Sequence, residues 1–153
     1  MTVSFTGHRN ADPAVRTALY NTIKRLAEAG ADTFCAGGAA GFDTLAAQEV
    51  IRVKSEMPGI KLRLVLPCPP GEQTKKFSRE MKEAYVLVLR GADEQECVSP
   101  HYTPGCMKAR NQRLIDLADI CICYYDSENN SASGTGQTVR MAKKKGIQII
   151  NLF

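Results

Sequence analysis

Apolar positions along the chain alternate between two periods. Short runs that are mostly apolar (TVSF at 2–5, DTFCA at 32–36, IKLRLVL at 60–66, DICICYY at 119–125, IQIINLF at 147–153) are separated by longer stretches where apolar residues return every three to four positions. The short runs read as strands and the longer stretches as amphipathic helices. The first strand breaks at Gly7. Residues 11–30 then read as a helix, with Asp12 at the N-cap, Pro13 in the first turn and Gly30 as the stop. Val15, Leu19, Thr22, Ile23 and Leu26 share one side of it. A second helix spans 41–57, with Ala46, Val50, Val53 and Met57 on one face. The third strand is closed by PCPPG at 67–71, which continues neither a ladder nor a helix.

Residues 73–93 carry two signals. Phe77, Met81, Ala84 and Val88 keep helical register, while Tyr85 to Leu89 alone pass for a strand. The helix is preferred, because EQECVS at 94–99 supplies a strand just after a break at Gly91. A fourth helix covers 102–118, with Thr103 as N-cap and Pro104 at its first position. After the fifth strand comes a polar, mobile loop at 126–134, then a fifth helix at 135–146 and a last strand.

Strands alternating with helices of this length predict right-handed βαβ units. The expected fold is α/β: a three-layer sandwich around a mainly parallel sheet of about six strands, forming one domain over residues 1–153. Near-continuous apolar strands fit a sheet covered by helices on both faces. In such a sheet every loop that follows a strand leaves from the same edge, where ligands of open α/β folds bind.

Three of those loops carry unusual residues: TGHR at 6–9, AGGAAGFD at 36–43 and SASGTGQT at 131–138. Taken singly, each glycine pattern is an incomplete match to a dinucleotide fingerprint, and a tight strand-to-helix turn explains it equally well. Converging on one crevice, they make an anion site, since glycines let ligand oxygens reach backbone N–H groups and helix N-termini add positive potential. The candidate ligand-binding residues are Thr6, Gly7, His8, Arg9, Gly37, Gly38, Gly41, Asp43, Ser133, Gly134, Thr135, Gly136 and Thr138. Arg9 offers a bidentate phosphate contact and His8 a hydrogen bond or proton transfer; an exposed turn is the alternative for both. Asp43 is either a ribose-hydroxyl acceptor or simply a carboxylate stabilising a helix start.

Composition narrows the partners. An apolar fraction of 44%, a charged fraction of 24% and a net charge of +4 are those of an ordinary soluble protein. No apolar run reaches membrane-spanning length and the first residues lack a secretory pattern, so a cytoplasmic setting without membrane contact is expected. The run Lys143, Lys144, Lys145 falls at a helix end, where the helix dipole accounts for it. Six cysteines include no C-x-x-C pair. Cys121 and Cys123 alternate onto one strand face as small buried groups. Cys97, His101 and Cys106 form only a weak metal-ligand set, and neither metal nor cofactor is expected. No Walker A lysine pattern exists.

TGHR, GGAAGFDTLAAQ, YTPGCMKARNQRLID and SGTGQTVRMAKKKG, in this order, resemble the YpsA-like proteins of the SLOG superfamily. That group also contains DprA/Smf and the LOG phosphoribohydrolases, and the resemblance covers essentially the whole chain. It implies a Rossmann-like fold, a small nucleotide-like ligand, a bacterial origin and a possible homo-oligomer. It also adds Arg110 and Asn111 to the candidate site; an exposed helix face is their alternative. One departure stands out. LOG enzymes carry P-G-G-x-G-T-x-x-E, whose glutamate assists cleavage of an N-glycosidic bond, and no glutamate follows Gly136 here. The nearest acidic residues are Asp43 and Glu49, so an N-glycosidase would need Asp43 as its catalytic carboxylate.

Three readings result: a nucleotide-derivative binding protein, a nucleotide phosphoribohydrolase using Asp43, and a single-stranded DNA binder. Five Tyr, five Phe, no Trp and a mild charge give little for base stacking, which argues against nucleic acid.

Overall fold

The computed structural model describes residues 1–153. Six strands alternate with helices in the order β1 (Thr2–Gly7), α1 (Val15–Glu28), β2 (Thr33–Ala36), α2 (Phe42–Glu56), β3 (Lys61–Leu66), α3 (Pro70–Gln73), α4 (Arg79–Gly91), β4 (Glu94–Cys97), α5 (Cys106–Leu117), β5 (Ile120–Tyr124), α6 (Gly134–Lys145) and β6 (Gln148–Asn151). All strands are parallel in one sheet of order β4-β3-β2-β1-β5-β6.

The first four strands step outward from β1 in one direction, and the chain then returns to place β5 on the other side of β1. Right-handed crossovers therefore put α1, α2 and α4 on one face and α5 and α6 on the other. The reversal falls between β1 and β5, paired from Val3 with Ile120 to Gly7 with Tyr124. Loops leaving these two strands diverge to opposite faces and open a crevice.

Two apolar layers hold the helices on. Val3, Phe5, Phe34, Leu62, Leu64 and Ile122 face α1 and α2, meeting Leu19, Ile23, Phe42, Val50 and Val53. Each such fully buried side chain contributes on the order of 2 kcal/mol. The opposite face is built from small groups, with Cys121 and Cys123 against Ile115, Val139 and Ala142, and Cys35 against Val65 and Leu114. Ser4 faces the same way and donates its hydroxyl to the Leu114 carbonyl at 2.7 Å. Burial pushes the Cys35 and Cys123 thiols up to about 11 and the Cys121 thiol up to about 12, so these groups pack rather than react.

Several local expectations shift. α1 begins at Val15, because Asp12 accepts from the Ala14 amide at 2.9 Å and closes a turn ahead of the helix. The PPG run ends β3, yet Pro70 opens the short α3, since its fixed φ suits a first helical position. α5 starts at Cys106 with Gly105 as N-cap at φ +88°, and Thr103 and Pro104 form the turn before it. α4 is a helix and β4 a strand, but the buried side of α4 centres on Tyr85 and Val88, leaving Met81 exposed. The polar loop after β5 is tied down by Asp126, which accepts from the Glu128 and Asn129 amides at 3.2 Å each and from Asn129 Nδ2 at 2.8 Å.

Candidate functional site

The crevice at the strand reversal is a polar cavity of about 350 Å³. β1 and the residues just after it deliver Thr6, Gly7, His8 and Arg9 to it, the loop before α2 delivers Ala39, the first turn of α2 delivers Asp43, α5 delivers Arg110 and Asn111, and the start of α6 delivers Ser133, Gly134 and Thr135. Phe5, Met107 and Leu114 complete the lining. Of the sequence candidates, Gly37, Gly38, Gly41, Gly136 and Thr138 do not line it, and what they do instead explains how the loops hold together.

Gly7 packs its Cα against the Phe42 ring, and Gly41, at φ +84°, lies against the Arg9 backbone; a Cβ at either would overlap those atoms. The first two loops thus use glycine to approach each other. The Phe42 amide also donates to the His8 carbonyl at 3.2 Å. Gly37 makes room for Arg110, and a Cβ there would also stand 2.9 Å from Asp43 Oδ2. Gly38, at φ +76°, sits against Leu66 and Gln73. Gly136 is pressed by the Ser131 carbonyl and the Tyr125 ring. Thr138 is fully buried and turns its hydroxyl back to the Gly134 carbonyl at 2.8 Å.

His8 extends β1, its amide reaching the Tyr124 carbonyl at 3.3 Å. Its Nε2 accepts from the Asp126 amide at 3.0 Å, which places the proton of the neutral ring on Nδ1 and anchors the β5–α6 loop. Burial holds its pKa below the ordinary histidine value, with Asp126 pulling the other way.

Arg110 is 4% exposed. Its Nη1 donates to the Gly37 carbonyl and its Nε to Asn111 Oδ1 at 2.8 Å, leaving Nη2 without a protein acceptor. Burial lowers its pKa, yet a guanidinium remains charged. Beside it Asp43 is 6% exposed and accepts from the Ala39 amide at 3.3 Å. Burial raises the Asp43 pKa, opposed by the Arg110 charge. Arg9 is exposed on the rim. Glu49 lies elsewhere, buried between α1 and α2, where it accepts from Arg16 Nη1 at 3.3 Å.

Ser133 caps α6, accepting from the Gly136 amide at 3.0 Å and donating to the Asn130 carbonyl at 2.6 Å. That leaves the amides of Gly134 and Thr135, the first two positions of the helix, without protein acceptors. Open space surrounds Gly134. An oxyanion entering here would meet two backbone donors, the positive end of a helix and one buried arginine.

A second cavity of about 600 Å³ adjoins the first and shares Arg9, Ala39 and Met107 with it. Cys68, Phe77, Met81 and Tyr102 form its apolar walls, with Lys75 and Lys76 at the edge. Sequence reasoning missed this chamber. Phe77 and Met81 read as the buried side of a helix, and nothing in the periodicity marks Tyr102 as exposed. No group of three His, Cys, Asp or Glu side chains stands close enough to hold a metal ion. No helix is long and apolar enough to cross a membrane.

Comparison with known proteins follows the fold. A UPF0398 protein of Bacillus licheniformis is 30% identical over 116 residues, 74% of this chain and 62% of that protein. One of Bacillus cereus strain G9842 is 27% identical over 134 residues, 86% of this chain and 71% of the relative. The chain thus spans less than two thirds of the length of the first of these relatives. Among solved structures, DNA processing protein A from Helicobacter pylori, whose single-stranded DNA binding has been described, superposes with a TM-score of 0.67 at 20% identity, over 97% of this chain and 63% of that one. At that identity the likeness shows the Rossmann-like fold. The family model YpsA (YspA SLOG family) matches residues 3–152, and the chain belongs to that family.

Proposed function

We propose that the polar cavity binds the phosphate and ribose of a nucleotide or nucleotide derivative, and that the protein acts by binding. One observation carries this reading: the acceptor-free amides of Gly134 and Thr135 and the buried Arg110 guanidinium line the same crevice at the strand reversal. Positive potential and free donors favour an anion, and Arg9 at the rim adds a second cation. Asp43 fits binding better than bond cleavage. A carboxylate that stabilises an oxocarbenium ion must be free to face the sugar, whereas Asp43 is buried beside Arg110 and already accepts from the Ala39 amide.

Ligand-observed NMR with nucleoside mono- and diphosphates, NAD and ADP-ribose tests this directly, with the same samples followed for released base. Binding without release is expected, weakened about three- to tenfold in Arg9→Ala, an exposed contact to a charged group. Release of base that stops in Asp43→Asn would replace the binding reading with an N-glycosidase.

Single-stranded DNA is the second reading. It is favoured by the likeness to a DNA-binding fold and by an exposed Tyr102 close to Lys75 and Lys76, features that weaken the compositional argument against nucleic acid. Oligothymidine affinity that falls steeply between 50 and about 200 mM salt would support it.

A further inference from the structure

The larger cavity has a wall that nothing in the protein covers. Phe5, Phe34, Phe42, Phe77, Phe153, Tyr85, Tyr124 and Tyr125 each lie beside another aromatic ring, and Tyr20 lies beside Lys24 and Arg52. Tyr102 alone has neither kind of partner, and 61% of it is exposed at the mouth of the chamber. Its backbone is nonetheless anchored, because the Tyr102 amide donates to Glu72 Oε1 at 3.1 Å and so ties the β4–α5 loop to α3. A ring with an open face on an anchored stretch of backbone offers a planar ligand group a surface to stack on.

The rest of the chamber fits the same guest. Phe77, Met81 and Met107 supply polarisable apolar surface, and methionine adapts its shape to a flat ring. Two of the polar side chains present are engaged: Gln73 donates to the Gly37 carbonyl at 3.0 Å and accepts from Tyr85 at 2.6 Å, while Glu72 holds the Tyr102 amide; Arg9, Lys75 and Lys76 are the free donors. The walls therefore offer stacking, with free hydrogen-bond donors confined to three long cationic side chains. Such a site takes a heterocycle without reading its edge closely. Because Arg9, Ala39 and Met107 line both cavities, the two lie side by side.

We infer that this second cavity is the base subsite of a nucleoside phosphate, with Tyr102 stacked on the base while the phosphate lies at the start of α6. The inference rests on the nucleotide reading of the polar cavity and adds what that reading lacks, a place for the ring and the residue that holds it. Loose edge recognition goes with it: adenine, guanine, cytosine and uracil nucleotides bind within about tenfold of one another.

The test compares ribose 5-phosphate with AMP, GMP, CMP and UMP by calorimetry on the wild type, Tyr102→Ala and Tyr102→Phe. Tyr102 is exposed, so truncation leaves the core intact. The nucleotides are expected to bind at least tenfold more tightly than ribose 5-phosphate. Tyr102→Ala should remove most of that advantage without changing ribose 5-phosphate affinity, and Tyr102→Phe should keep it, since stacking of one base accounts for a factor of about ten. If ribose 5-phosphate binds as well as the nucleotides, or loses as much affinity as they do in Tyr102→Ala, the base subsite is wrong and the phosphate site stands. If neither the sugar phosphate nor any nucleotide binds, both readings fall. If only oligothymidine binds, with affinity rising with length, the cavity belongs to a single-stranded DNA path and the small-ligand subsite is overturned.

Discussion

At the scale of single residues, the glycines of the candidate site separate into those pressed against neighbouring atoms and Gly134, which has open space around it. Gly41 has a left-handed φ and the Arg9 backbone against it, so Gly41→Ala is expected to cost about 2–3 kcal/mol in urea unfolding. Gly134 has ordinary φ and open space, and stands in the first turn of α6. Gly134→Ala should leave stability unchanged or raise it by up to about 1 kcal/mol, while crowding an entering anion. A loss of stability as large as at Gly41 would contradict this division. His8 supplies a pH dependence. Its folded pKa lies below its unfolded value, so the unfolded state binds more protons near and below pH 7. Stability should therefore fall as the pH drops through the unfolded histidine value of about 6.5, and His8→Gln should flatten that slope in urea midpoints taken from pH 8 to 5.5. Protonation also removes the Nε2 acceptor that holds the Asp126 amide.

At the scale of elements, the lysine run has a second use beyond the helix dipole. α6 does end there, with Gly146 at φ +80°. Lys145, however, reaches across to α5 and donates to the Ile115 carbonyl at 2.8 Å, the Asp116 carbonyl at 2.9 Å and the Ala118 carbonyl at 2.8 Å. They cluster at the end of α5, where the Asp116 and Ala118 carbonyls have no backbone donor and the Ile115 carbonyl also accepts from the Ala118 amide at 3.1 Å. One ammonium thus bridges to a neighbouring helix and locks α5, the carrier of Arg110, against α6, whose N-terminus lines the polar cavity. Lys145→Ala is expected to cost about 1–2 kcal/mol, against at most about 0.5 kcal/mol for Lys144→Ala, by chemical denaturation. Equal effects at the two positions would leave only the dipole account. The expected helix-bounding residues are displaced. Asp12 and Thr103 close turns ahead of α1 and α5, Asp12 through its carboxylate and Thr103 through its backbone carbonyl, so a turn stands between each residue and its helix.

For the whole molecule, ligand binding is linked to folding. A ligand that occupies the crevice at a hundredfold excess over its Kd stabilises the native state by about 2.7 kcal/mol. For a chain of 153 residues that should raise Tm by roughly 5–10 °C, read by thermal shift. A nucleotide that binds by calorimetry without moving Tm would be engaging a surface outside the fold's cooperative unit. The mild net charge of +4 predicts little long-range attraction for anions, so selectivity must arise inside the cavity, where Arg110 is shielded from solvent.

Period placed the five apolar strands and four of the long helices, because apolar repeats of two and 3.6 residues are local properties that burial on a two-faced sheet imposes on the sequence. Residues 73–93 needed the strand after them, and α3 went unread. Period placed Val15, Leu19, Thr22, Ile23 and Leu26 on one helix face and Cys121 and Cys123 on one strand face, and the structure buries all seven. The same pattern implied that the TGHR, GGAAG and SGTG loops share an edge, since parallel strands leave no other arrangement. Which atoms meet at that edge is not a local property. The order β4-β3-β2-β1-β5-β6, the approach of Gly7 to Phe42 and Gly41 to Arg9, and the seating of Arg110 between Gly37 and Asn111 all depend on packing between residues far apart in the chain. So does the exposure of Tyr102. An aromatic residue in a turn reads the same in sequence whether its ring is covered or bare, and only the neighbours brought by α3 and α4 decide that it stands open at the mouth of a cavity.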